Sequence, residues 1–164
     1  MALHDWVVLV HLLSSFAFVL GHGASVVVLF RIRRETDPLR IGAQLDVSLS
    51  SLGLAFGGLL VLLVSGIVAG FTGGFWGRAW IWVSLGLLVV MAVHMGLRAT
   101  GYTDAIRHAI GTRGMHDRKD AAIPPAASPA ELAALLASPR PLEIALVGGI
   151  GLALIVYLMH AQPF

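Results

Sequence analysis

Four stretches of this 164-residue chain are apolar almost without interruption: Trp6–Phe30, Val47–Gly70, Ala79–Leu97 and Leu142–Ala161. None carries the polar stripe of an amphipathic surface helix, and each approaches the roughly 20 residues that cross about 30 Å of hydrocarbon. The pattern predicts an all-α fold. It is a bundle of four transmembrane helices forming one integral membrane domain over residues 1–164.

Polar positions gather in the connections. Residues 98–141 make a loop too long for a simple link between neighbouring helices. Within it, Tyr102 to Ile110 either prolongs the third helix or lies along the membrane surface, with Arg107 and His108 turned to water. Ser128-Pro129-Ala130-Glu131 has the form of a capping box with proline at the first helical position, which predicts a short helix ending near Ser138-Pro139. Pro124 and Pro125 act as a hinge before it, and the glycines of Gly70–Gly77 suit a tight turn among aromatics.

Charge gives the bundle a direction. Arg31, Arg33, Arg34 and Arg40 fall in the first connection, and Arg98, Arg107, Arg113, Arg118, Lys119 and Arg140 in the third; only Arg78 lies on the other side. An excess of Lys and Arg marks the cytoplasmic face, so both termini are expected outside and the loop 98–141 inside. Trp6, Trp76, Trp80 and Trp82 all fall at the opposite interface, where indole rings anchor among headgroups. His4 and Asp5 stand where a signal peptide has a basic region, so the first apolar run is expected to be a retained span.

Composition agrees. Hydrophobic residues make up 57% of the chain and charged residues 12%, against about 25% charged in a soluble domain. The absence of cysteine excludes disulfides, thiolate metal sites, iron–sulfur clusters and covalent c-type haem attachment. The basic pI, about 9.7, reflects topology and does not indicate nucleic acid. There is no internal repeat and no nucleotide-binding glycine loop.

Candidate chemistry rests on His11, His22, His94 and His160, each inside an apolar run, because an ionisable side chain within a membrane is costly and usually functional. His11 and His22 are eleven residues apart, which puts them within roughly 20° of one another and about 16 Å apart along one helix. By depth, His22 pairs with His94 near the inner side and His11 with His160 near the outer side; helix tilt has to close a gap of roughly 6 Å in each pair. Facing imidazoles in a bundle can hold a b-type haem. Gly21 and Gly23 flank His22 and leave room for a flat macrocycle, although a close helix crossing uses the same glycines. Ser14, Ser15 and Ser25 either orient the imidazoles or bond their own helix.

Met91, Met95 and Met159 neighbour the histidines, and thioether with imidazole suits Cu(I), so copper is the alternative metal. A third alternative is a cofactor-free accessory subunit whose histidines bond between helices. Small-xxx-small spacings among Gly53, Gly57, Gly58, Gly66 and Gly70, and the glycines Gly148, Gly149 and Gly151, permit close helix approach, within the chain or in a homo-oligomer. No acid lies at mid-membrane and no catalytic residue is identified; three or four zinc ligands do not meet at any one depth. His108 and His116, beside charged neighbours, are expected to be solvated.

The strings HLLSSFAFVLGHGAS, RIRRETDP and LLVSGIVAGFTGGFWGRAWIWVSLGLLVVMAVH, within His11–Tyr102, resemble the uncharacterised bacterial four-helix integral membrane family related to the copper resistance protein D (CopD) group. The resemblance covers about two-thirds of the chain and implies a multi-pass protein of the bacterial inner membrane. The copper group is associated with copper uptake and other distant relatives bind haem, with a first-helix histidine matching His11 as a recurring candidate ligand. This chain is short and lacks a methionine-rich external segment, which departs from a copper permease. The expected function is therefore a b-type haem protein or redox subunit rather than a stand-alone enzyme, passing electrons within the membrane, to quinone or within a larger redox complex. His22 and His94 are the leading ligands, and His11 and His160 a second pair.

Overall fold

The computed structural model describes residues 2–164, and all regular structure among them is helical. Helix α1 runs Leu3–Ile32, α2 Pro38–Thr72, α3 Ala79–Ala109, α4 Pro129–Leu136 and α5 Arg140–Ala161, with a single 3-10 turn at Phe75–Gly77. Four helices are long and apolar enough to cross a membrane. Their apolar residues point in every direction, so side chains such as Leu20, Leu60, Val90 and Ile150 stay exposed in the isolated chain. That all-round apolar surface is what lipid covers in a multi-pass membrane protein.

The helices associate as two close pairs, α1 with α2 and α3 with α5, while α2 and α3 make almost no direct contact. The first pair is a backbone contact made possible by glycine. A Cβ on Gly21 would lie 2.6 Å from the Ala55 nitrogen and the Ser51 carbonyl, and one on Gly58 would lie 2.7 Å from the Phe18 nitrogen. Lipid tails are as apolar as leucine, so close van der Waals packing of this kind replaces the missing hydrophobic drive. Buried hydroxyls add to it: Ser25 Oγ and Ser48 Oγ bond across the pair at 2.7 Å.

Helices α2 and α3 are longer than their apolar runs. Asp37 caps α2 by accepting from the Leu39 N–H at 3.0 Å, with Pro38 at the first helical position. Helix α3 continues unbroken through Tyr102 to Ala109. These extensions are amphipathic, and their apolar sides build the one contiguous core. Leu29 and Ile32 of α1, Ile41 and Leu45 of α2, Tyr102 and Ile106 of α3, Leu132 and Leu136 of α4 and Ile144 of α5 pack there. Helix α4 opens with a capping box, Ser128 Oγ accepting from the Glu131 N–H at 3.3 Å. At its far end the Arg33 guanidinium donates to the carbonyls of Leu136 and Ala137, a cation on the negative pole of the helix.

Ten basic residues share the end of the bundle that holds this core, and all four tryptophans share the other. At the tryptophan end, Gly70 is pressed against the Trp76 ring, and the backbone N–H of Trp80 donates to the Phe164 carbonyl.

Candidate functional site

Where α2 and α3 part, a narrow cleft, partly open at the side, runs between the α1/α2 pair and α3. Its walls extend from Leu88 to Arg107 along α3, about 28 Å at 1.5 Å per residue. They are almost wholly apolar, with Phe18, Leu52, Leu59 and Met91 typical of the upper part. Polar groups are few: His22, the Ser25–Ser48 pair, Thr100 and Thr103, and Arg107 at the lower mouth.

His22 is the one predicted ligand on this wall. Its ring stacks on Phe18, with centroids 6.0 Å apart and planes 11° apart, and makes no hydrogen bond among the described residues. Its Nε2 lies 3.1 Å from the point a Cβ on Gly148 would occupy, and Met95 Sδ lies 3.6 Å from the same point. The imidazole nitrogen and the thioether sulfur are thus no more than about 6.7 Å apart. Met91 sulfur rests on Gly151, one turn further along α5. Gly148 therefore admits the Met95 thioether and the His22 imidazole together, and Gly151 admits Met91, where α1, α3 and α5 converge. Methionines four residues apart share a helix face, which the sequence already contains.

The other three histidines are placed differently. His94 Nε2 lies 3.3 Å from Glu143 Oε1, too poorly aligned for a hydrogen bond, and the same oxygen lies 3.4 Å from Arg98 Nε. An acid from the first turn of α5 thus reaches His94. His11 Nδ1 bonds the Leu62 carbonyl at 2.9 Å and approaches Ser65 Oγ at 3.2 Å. A carbonyl only accepts, so this nitrogen carries the proton. The ring also fills the space left by Gly66, which makes His11 a bridge between α1 and α2. His160 is exposed at the end of α5. No hydrogen bond or ring contact joins any two of these four among the described residues. Nor do three or more His, Asp or Glu side chains converge there on one metal position. Gly21 is occupied by the α2 backbone, whereas Gly23 faces open space.

Two features went unread in the sequence. Arg107, expected to face water, has only 14% of its side chain exposed, lines the cleft, and bonds Asp46 of α2 at 2.7 Å. His108 and His116 are solvent-exposed, as expected, but each also holds a carboxylate: His108 Nε2 with Asp117 at 2.8 Å and His116 Nδ1 with Asp104 at 3.0 Å. The same carboxylates accept the backbone N–H groups of Gly114 and Met115, both at 2.7 Å. Those bonds, from His108 first, hold the Asp117 carboxyl below its usual range. The knot sets Met115 as part of the cleft floor. Asp104 and His108 are four residues apart on one helix, the one local signal of it.

No protein-family model, curated protein or solved structure matches the chain.

Proposed function

We propose that this multi-pass membrane protein is a small redox protein that holds a b-type haem in the cleft, where the His22 imidazole and the Met95 thioether are the side chains that would bind its iron. The observation that carries this reading is the His22 imidazole: it lies on an apolar wall, without a hydrogen-bond partner among the described residues, and shares the Gly148 surface with the Met95 sulfur. Bound haem supplies a one-electron iron couple. The chain supplies the rest. His22 binds and orients, the apolar walls exclude water, and a thioether ligand favours the reduced metal and raises its potential. Met95 takes, in this reading, the place expected of His94, whose ring lies against Glu143 and does not line the cleft. In this reading the basic end faces the cytoplasm of a bacterial inner membrane.

A dithionite-reduced minus oxidised spectrum of protein purified in mild detergent from haem-replete cells tests it. Wild type should show sharp α and Soret bands, and His22→Ala should lose them. Met95→Leu should keep haem but lower its potential, whereas His94→Ala should leave the spectrum unchanged. A flat wild-type spectrum, with haem supply verified, sinks the proposal. A colourless, metal-free preparation would favour the accessory-subunit reading, which the His11 bridge to Leu62 supports. Stoichiometric copper would turn the imidazole and thioethers to Cu(I) instead.

A further inference from the structure

At the lower mouth of the cleft, Arg107 presents a combination that the haem reading does not use. It is the one fixed charge among the described cleft-lining residues, and its side chain is 14% exposed. Its counter-ion, Asp46, sits on the rim with 69% of its side chain exposed. A guanidinium held beside apolar walls gains much from an anion in the cleft, where water does not screen the interaction. Releasing Asp46 to solvent costs little, because that carboxylate is already largely hydrated. The Arg107–Asp46 bond also joins α2 to α3 at the lower mouth of the cleft.

Above Arg107 the walls are apolar over about 28 Å, more than the half-thickness of a bilayer core, about 15 Å. An occupant that satisfies both features has a hydrocarbon tail and an anionic head. We infer that the lower part of the cleft, between Arg107 and the His22–Met95 level, binds an anionic amphiphile from the bilayer, a carboxylate or phosphate headgroup replacing Asp46 on Arg107 while its tail lies against Leu45, Leu49 and Ala99.

The test uses the full chain in a neutral maltoside detergent, titrated with fluorophore-labelled stearate and, as the uncharged control, the matching alcohol. Wild type should bind the acid more tightly than the alcohol. Arg107→Gln should weaken the acid about tenfold or more, the scale of one charge-assisted hydrogen bond, and change the alcohol less than about twofold. Asp46→Asn removes the same ion pair but leaves the cation, so it should tighten the acid and keeps the test alive if Arg107→Gln does not fold. Stronger displacement by dodecyl phosphate than by palmitate would identify a phospholipid-like head, and the reverse a fatty acid. Equal binding of acid and alcohol by wild type would overturn the inference, as would acid binding weakened by Asp46→Asn. The haem spectrum should not change in Arg107→Gln, so this site and the redox reading fail separately.

Discussion

The two ends of the bundle are stabilised by different physics. At the basic end five helices share a contiguous core, Ile32, Ile41 and Ile106 are fully buried, and the Arg33 guanidinium ties the end of α4 to α1. Toward the tryptophan end the helices separate into two pairs, buried positions are largely serine, glycine and alanine, and large side chains point outward. The first region is built as a water-soluble domain is built. The second depends on backbone contact and on lipid around it. The difference explains where the cleft lies: it opens between the helix pairs and is floored by the packed end.

The comparison can be broken most severely at Gly58. Gly58→Leu forces a side chain into the Phe18 backbone and should separate α1 from α2, read as loss of the folded protein by size-exclusion chromatography in detergent. Gly57→Ala, one residue away and facing open space, should leave the elution profile and melting temperature unchanged. Next in size is the core. Ile106→Ala should cost about 2–5 kcal/mol in a thermal or denaturant melt, whereas Val90→Ala, 66% exposed toward lipid, should stay within about 0.5 kcal/mol. Equal losses at both positions would erase the contrast between the ends.

Smaller effects probe the docked loop. Ser128→Ala removes the cap of α4 and should cost about 1 kcal/mol of local stability, seen as faster amide exchange over residues 129–136. The Asp117 knot carries a pH signature. Its carboxyl titrates below the ordinary aspartate value in the folded chain, so its contribution is complete above about pH 4 and is lost as pH falls through the depressed value. Amide exchange at Gly114 should therefore stay constant from pH 7 to about 5, after correction for intrinsic rates, and accelerate only in stronger acid. Glu131, held low by the Ser128 hydroxyl and backbone N–H, should show the same sign. Orientation is open to a direct check: the chain has no cysteine, so a single cysteine at Arg78 or Arg118 should react with an impermeant maleimide from opposite sides of the membrane.

The four apolar helices were legible because lipid imposes a simple demand on composition, and continuous apolar runs meet it wherever they occur. Their ends were less legible. Arg40, Gln44 and Asp46 interrupt the apolar pattern, so the start of α2 reads as connection until Asp37-Pro38 is recognised as a cap and first helical residue. For the candidate site, His22 was identifiable from its flanking glycines and apolar setting. Its surroundings were not. Similar depth made His94 its expected partner, but depth does not fix azimuth, and Glu143 reaches His94 from α5. The carboxylate partners of the loop histidines were not legible because each lies nine or twelve residues away, across a turn whose course local patterning does not specify.

By itself, then, the sequence determined that four apolar helices are present, that basic residues collect at one end and tryptophans at the other, and that a few imidazoles sit among hydrocarbon side chains. Tertiary structure decided which helices pair, that a cleft separates α2 from α3, and that His22 meets methionine sulfur at Gly148. The reason is periodicity: hydropathy records how apolar a helix is, but an apolar surface all round carries no mark of which face meets which neighbour. In lipid that choice falls to small residues and close contact, at Gly21, Gly58, Gly148 and Gly151, and these act only once two helices are placed together.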